Sequence, residues 1–318
     1  MRSIVNVVVT CTKDKFYPVP VDCQLRNILG LSLEERLSHW ESATYRHWEQ
    51  RVTAKDLYAG DHWVTVKGFE SSFFDLDIWI CSAGYGLIHY SDKVAPYAAT
   101  FSPRHPDSVS MNLVGDIDSL SPQKWWTGTS RRWKKQLKGR PRTLTALMAT
   151  YPERSTVVVA SNNYMRAIAD DVRTGVGQLR DSDQLVIIAS GVKSIASLDE
   201  NLLPSDARFQ SNVGGARRSL NTRLAAKVIR ESVKPPRISD LRKRYLKLLS
   251  NQPPLERYDR EPLTDEEVRK FIKRQLHLDP SSRHTRLLRT LRENNKACEQ
   301  KRFAKLFNEV QEQIDGKS

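Results

Sequence analysis

The sequence predicts an α/β domain on a parallel sheet, followed by a basic helical module. Two observations carry this. Four short runs, residues 4–10, 76–81, 156–161 and 184–190, are almost continuously apolar and are separated by helical patterns. Strands buried on both faces of a parallel sheet read this way, and their alternation with helices marks a layered α/β fold. The charge is also lopsided. Residues 1–216 hold 25 Lys and Arg against 23 Asp and Glu, whereas residues 217–318 hold 26 against 14, within a net charge of +14. A basic segment of that length points to a polyanion partner, most simply nucleic acid.

In chain order, residues 4–10 form the expected first strand. Lysines follow at once in Cys11-Thr12-Lys13-Asp14-Lys15, so the segment reads as a strand and not as a secretory leader. Residues 32–48 read as a helix opened by Ser32 and Glu35 at capping-box spacing. The strand at 76–81 runs into Cys81-Ser82-Ala83-Gly84-Tyr85-Gly86, expected as a ligand loop. Residues 103–142 carry four prolines and no clear period, and read as an excursion from the sheet. There Trp125, Trp126 and Trp133 interleave with Arg131, Arg132, Lys134, Lys135, Lys138, Arg140 and Arg142. That mixture suits base stacking with phosphate contact, and equally a tryptophan-anchored loop with a basic tip. Residues 163–173 read as a helix between the third and fourth strands.

The four strand exits are small and polar, which predicts one ligand pocket at the carboxyl ends of the strands. Further on, Gly214 and Gly215 precede Arg217, Arg218, Asn221 and Arg223 at a helix start, a pattern that suits a phosphate. It is neither a G-x-G-x-x-G fingerprint nor a P-loop, so no nucleotide cofactor is expected.

The α/β domain is expected over residues 1–232 and a helical nucleic-acid-binding module over 233–318. In the latter, 238–249 reads as a linker helix, Thr264 and Glu267 repeat the capping-box spacing, and 283–292 and 297–313 read as two helices around an Asn294-Asn295 turn. This resembles a helix-turn-helix pair. Phe303, Leu306, Phe307 and Val310 share one face of the last helix, and Gln300, Lys301, Arg302 and Lys305 leave it a polar face for a groove.

Other chemistries lack their residues. No apolar run reaches the ~18 residues of a membrane span. Four dispersed cysteines give no zinc or disulfide framework and suit a reducing cytoplasm. The seven histidines show no metal-ligand spacing, and no metal is expected. No G-x-S-x-G elbow occurs. Cys11 and Cys81 read as small buried residues before nucleophiles.

The motifs CTKDK, DLY (Asp56 to Tyr58), CSAGYGLI, Asp92 with Pro96-Tyr97, ASNNY and the late Gly-Gly with SLNTR occur in an order that resembles a bacterial and phage family. That family is related to the uracil-DNA-glycosylase-like domain of archaeosine synthases. The resemblance covers about residues 3–225, with 103–142 as an insertion. The water-activating and histidine motifs of standard uracil-DNA glycosylases are missing here.

The resemblance implies a three-layer domain like uracil-DNA glycosylase and a DNA N-glycosylase that flips out a base and leaves an abasic site. It implies a modified target base, with hypermodified cytosine in phage DNA as the sharp expectation, and a role in antiviral defence. The implied partner is double-stranded DNA, bound by a cytoplasmic monomer without cofactor. Asp14, Ser82 and Asn162 are the expected catalytic residues, with Asp56 and Asp92 as further candidate carboxylates. Tyr17, Tyr58, Tyr85, Tyr97 and Asn163 are the expected base pocket. Lys13, Lys15, Arg131, Arg132, Arg217, Arg218, Asn221, Arg223, Lys301 and Arg302 are the expected DNA-binding residues. A tRNA or 7-deazaguanine base-exchange enzyme and a DNA-binding regulator are the alternative readings.

Overall fold

The computed structural model describes residues 2–28, 32–110, 121–133, 137, 139–190, 192, 194–203, 206–253 and 259–315. The chain divides into two units, Met1–Pro253 and Pro254–Ser318. The division falls later than the expected 232/233 boundary. The helix Ile238–Ser250 buries Ile238, Leu241 and Tyr245 in the core of the first unit, so it is no linker. The charge moves with it. Residues 217–253 hold 11 basic and 2 acidic residues, whereas 254–318 hold 15 and 12. Most of the basic excess therefore belongs to the first unit.

The first unit is built on a five-stranded sheet in the order Gly86–His89, Asp75–Ser82, Ile4–Thr10, Thr156–Ser161, Leu185–Ser190. The four expected strands are all present and mutually parallel. Val5, Val7, Val8 and Val9 are all buried, as are Val157 to Val159, Ile187 and Ile188. Alternate residues point to opposite faces, so both faces of these central strands are covered. Each such side chain contributes roughly 1.5–3 kcal/mol of burial.

The edge strand Gly86–His89 runs antiparallel and replaces the expected ligand loop. The Ser82 hydroxyl accepts the backbone N–H groups of Gly84 (3.2 Å) and Tyr85 (3.1 Å). Gly86 turns the chain at φ +70°, a conformation that L side chains rarely adopt. The glycines thus close a hairpin in the core.

Helices follow from local signals. Leu33–Arg46 opens with the Ser32–Glu35 capping box, present in full. The 103–142 stretch contains the helix Pro122–Arg132, capped by the Ser121 hydroxyl and started by proline. Its tryptophans are not base stackers: Trp125, Trp126 and Trp133 are buried. Trp125 Nε1 donates to Ala83 O (2.7 Å), Trp126 Nε1 to Asp171 Oδ2 (3.0 Å), and Trp133 stacks on Trp48 at 5.7 Å. Arg132 braces this helix to Glu34 and Glu41, and buried Arg142 donates to Tyr85 O (2.5 Å). Lys134, Lys135 and Lys138 lie outside the described residues. The helices Asn162–Val176 and Leu220–Glu231 complete the layers that position the site.

The second unit has its own core of Val268, Ile272, Leu276, Leu287, Leu288, Leu291, Cys298, Phe303, Leu306, Phe307 and Val310. Its helices are Asp265–Leu278, with the Thr264–Glu267 capping box, His284–Glu293 and Gln300–Asp315. Asn295 turns at φ +59° as expected, but the link between the last two helices then forms the strand Lys296–Ala297, parallel to Glu261–Pro262. It is longer than a helix-turn-helix turn. Among the described residues no helix is long and apolar enough to cross a membrane.

Candidate active site

The chain leaves Ile4–Thr10 for Asp75–Ser82 on one side, and Thr156–Ser161 lies on the other. The order of strands reverses between the first and third, which is where ligands bind in open parallel sheets. A cleft of about 350 Å³ opens there, lined by residues 10–14, 59–62, Thr100, Ser102, 159–161, Tyr164, Arg218 and Asn221.

The loop after the first strand supplies Lys13 and Asp14. Thr12 Oγ1 donates to Asp14 O (2.8 Å), and Ala59 N donates to the same carbonyl (3.0 Å). Gly60 has φ +89°, and a Cβ built there would stand 3.1 Å from Asp14 Oδ2. The carboxylate therefore lies over a glycine, and the side chain remains exposed at the cleft. Behind the loop, Lys15 Nζ donates to the carbonyls of Thr12 and Lys13. Its ammonium lies over the rings of Tyr58 and Tyr97, and burial pushes its pKa down to about 8.

His62 enters from the helix Asp61–Lys67. Its Nε2 lies 3.1 Å from Thr10 O and its Nδ1 2.9 Å from Thr222 Oγ1. A carbonyl only accepts, so the proton is on Nε2 and Nδ1 accepts from the threonine. Burial pulls the imidazole pKa below its ordinary value. Asp61 accepts from Ser219 and from Arg223 (2.6 Å), and these bonds hold its carboxyl below the usual range. The third strand brings Ser161 to the rim. Tyr164, its pKa raised by burial, meets Cys11 Sγ at 3.0 Å on the floor. Asn221 Nδ2 donates to Ala160 O (2.6 Å).

Of the predicted residues, the structure brings Lys13, Asp14, Arg218 and Asn221 to the cleft. Two strand exits of the four line it, the first and third. The second is buried, and in the fourth Gly191 and Lys193 lie outside the described residues. Ser82 is fully buried: its hydroxyl meets Tyr97 OH at 2.6 Å, and Tyr97 OH meets Tyr58 OH at 3.0 Å. Tyr58, Tyr85 and Tyr97 are likewise buried and offer no face to a base. Tyr17 is exposed but does not line the cleft. Asn162 and Asn163 start their helix just behind Ser161. Asp56 bonds Thr53, and Asp92 accepts from His89 N (2.8 Å) and pairs with Arg140 (2.7 Å), so both carboxylates serve turns.

Among the cations, Arg217 bonds Gln210 (3.1 Å) and Arg223 is held by Asp61. Arg131 is exposed on its helix away from the cleft lining. Lys301 and Arg302 belong to the second unit, where Arg302 pairs with Asp265 (2.6 Å). Sequence reasoning missed Asp61, His62, Ser161 and Tyr164. The Gly60-Asp61-His62 step just after DLY was the available signal.

Among the described residues one metal-type cluster occurs, Asp22, Cys23 and His47. It does not fit an ion. His47 Nε2 already bonds Asp22 Oδ1 (2.8 Å), Arg46 pairs with Asp22 (3.0 Å), and burial pushes the Cys23 thiol up to about 12, far from the thiolate a metal needs.

The cleft thus offers two carboxylates, exposed Asp14 and Arg223-bound Asp61, two lining cations and a floor of hydroxyl, amide and imidazole groups at one strand-order reversal. No protein-family model, curated protein or solved structure matches the chain.

Proposed function

We propose that the chain is a DNA glycosylase that hydrolyses the N-glycosidic bond of an extruded base at this cleft. The observation that carries the reading is Asp14, an exposed carboxylate over Gly60 at the strand-order reversal, with Lys13 and Arg218 lining the same cleft.

The chemistry needs those parts. Water adds its oxygen to C1′, the C1′–N bond breaks, and the base leaves with its electron pair and takes up a proton. Asp14 orients the water, accepts its proton and faces the positive charge that grows on the sugar. Lys13 and Arg218 hold flanking phosphates, which an extruded nucleotide requires. A cleft of about 350 Å³ is the size of small-ligand sites. Tyr164, Ser161 and Asn221 are the polar groups for the base, in place of the buried Ser82. The motif order from CTKDK to SLNTR supports the same class, and with it the uracil-DNA-glycosylase-like frame. A modified base in phage DNA as target, and a defence role, rest on that resemblance.

The test is release of free base. Purified chain is incubated with unmodified duplex and with DNA from phages carrying modified cytosines, and bases are read by mass spectrometry and abasic sites by alkaline cleavage. Release from modified DNA, lost in Asp14→Asn, supports the reading. Intact DNA of every type overturns it, and base release or exchange on tRNA alone moves the substrate to RNA.

A further inference from the structure

We propose that the second unit carries its own nucleic-acid contact on the helix His284–Glu293, and not on the last helix, where the sequence places it. The last helix offers a weaker set of cations, Lys301, Arg302 and Lys305, of which Arg302 is firmly engaged and the two lysines lack the fork that binds phosphate bidentately. Arg302 pairs with Asp265 and donates to Leu263 O (2.9 Å), and Lys305 lies 3.9 Å from Glu309, which also holds Arg269 at 2.8 Å.

The helix His284–Glu293 is arranged differently. Leu287, Leu288 and Leu291 point into the core. Arg283, Arg286, Arg289 and Arg292 recur every third residue. A helix turns 100° per residue, so each arginine steps back 60° from the one before. Within the helix Arg286, Arg289 and Arg292 sweep about 120° of the half that faces away from the leucines. Arg283 is the N-cap residue just before them, and half-buried Arg292 also donates to Cys298 O (3.3 Å). The side chains of Arg286 and Arg289 are 72% and 82% exposed, and their carboxylate neighbours, Asp279 and Glu293, are exposed pairs that a phosphate readily displaces.

Along this helix, from Thr285 to Glu293, lies a hollow of about 600 Å³, lined also by Arg260 and by the amides of Asn295 and Gln300. Among the described residues, Glu293 is the one carboxylate in that lining. Guanidinium forks with amide donors at their side match phosphodiester oxygens. Ten residues of helix span about 15 Å, comparable with the ~12 Å width of a DNA major groove. The unit as a whole carries 15 basic and 12 acidic residues, so its attraction for a polyanion is local to this face. The choice of nucleic acid among polyanions rests on the function proposed above.

The full chain is tested by fluorescence anisotropy on a labelled unmodified duplex across a salt series. The double variant Arg286→Glu/Arg289→Glu is compared with Lys301→Glu/Lys305→Glu, an equal charge reversal on the last helix. The first is expected to weaken binding at least about tenfold and to flatten the log affinity–log salt slope by about 1.8, two neutralised phosphates at ~0.9 each. The second is expected to change affinity less than about twofold. Equal weakening in both variants, no weakening in the first, or no duplex binding by the unaltered chain overturns the proposal. Heparin bound as tightly as duplex, and weakened equally by the first variant, overturns the nucleic-acid assignment. Base release is read separately: its absence with these binding results intact removes the glycosylase reading and leaves the nucleic-acid face standing.

Discussion

The Lys15 ammonium lies 4.7 Å from the centroid of the Tyr97 ring and 5.0 Å from that of Tyr58. It therefore caps the buried Ser82–Tyr97–Tyr58 hydroxyl chain while donating to the loop that carries Asp14. Sequence reading makes Lys15 a phosphate clamp; the structure makes it a brace. Its folded pKa of about 8 is below the ordinary 10.5, so the folded state binds fewer protons between those values than the unfolded state. Stability from this group accordingly rises as pH climbs from about 8 towards 10. Urea midpoints across that window are expected to rise more steeply for the unaltered chain than for Lys15→Met. Parallel profiles would remove Lys15 from the buried network.

Asp14 carries the proposed chemistry, and its neutral isostere separates catalysis from binding. Asp14→Asn keeps the size and the packing on Gly60 but no longer takes a proton from water. Base release is expected to fall at least about a hundredfold, the scale of general-base catalysis, with duplex affinity within about twofold. A variant retaining full release would show that another group activates the water.

The strands were legible because a parallel sheet buries both faces and leaves continuous apolar runs such as Val7, Val8 and Val9. The capping boxes at Ser32 and Thr264 were legible because they are local hydrogen-bond patterns. Asp14, Lys13, Arg218 and Asn221 were found because strand exits and helix starts face the cleft. The tyrosines failed for a physical reason. Tyr58, Tyr85 and Tyr97 sit beside small residues that resemble a ligand loop, yet those residues let the rings pack inward, with Gly84 against the face of Tyr97. Nothing local distinguishes a ring that stacks on a base from one that stacks on the core. The long-range pairing of His62 with Thr10 and Thr222 left no local trace either.

His62 ties the first strand to the helix Leu220–Glu231 in its neutral form. Its folded pKa is lowered by burial, so between that value and the ordinary 6.5 the unfolded state holds more protons. The stability it contributes is full above about 6.5 and is lost as pH falls through the folded pKa. Gln keeps a donor for Thr10 O and an acceptor for Thr222 but does not titrate. His62→Gln is expected to flatten the stability profile on the acid side of pH 6.5, measured as the difference from the unaltered chain. An unchanged difference across that range would mean that the imidazole is solvated there.

Gly86 joins the strands Asp75–Ser82 and Gly86–His89 against the helix Pro122–Arg132. A Cβ at this position would stand 2.5 Å from Ser130 Oγ and 2.7 Å from Ser130 Cα, at a φ of +70°. The second of these is backbone and has nowhere to go. Gly86→Ala is expected to cost about 2 kcal/mol or more in urea unfolding, from overpacking and strained backbone together. A smaller cost would place Ser130 further from the hairpin.

Where the chain is cut distinguishes the two domain boundaries. A chain ending at Ser232 loses the helix Ile238–Ser250 and uncovers the surface that Ile238, Leu241 and Tyr245 bury. At roughly 1.5–3 kcal/mol for each, that loss rivals the ~5–15 kcal/mol that a domain has in total. A chain ending at Pro253 cuts between the two units and keeps this core, including the Phe209–Tyr245 ring pair at 5.8 Å. The longer chain is expected to melt cooperatively and the shorter one to aggregate or melt far lower. The longer chain also keeps the 11 basic residues of 217–253. Its duplex binding should thus stay salt-dependent, with a slope reduced by about 0.9 for each phosphate that the helix His284–Glu293 neutralises in the full chain. Equal stability of the two chains would return the boundary to residue 232.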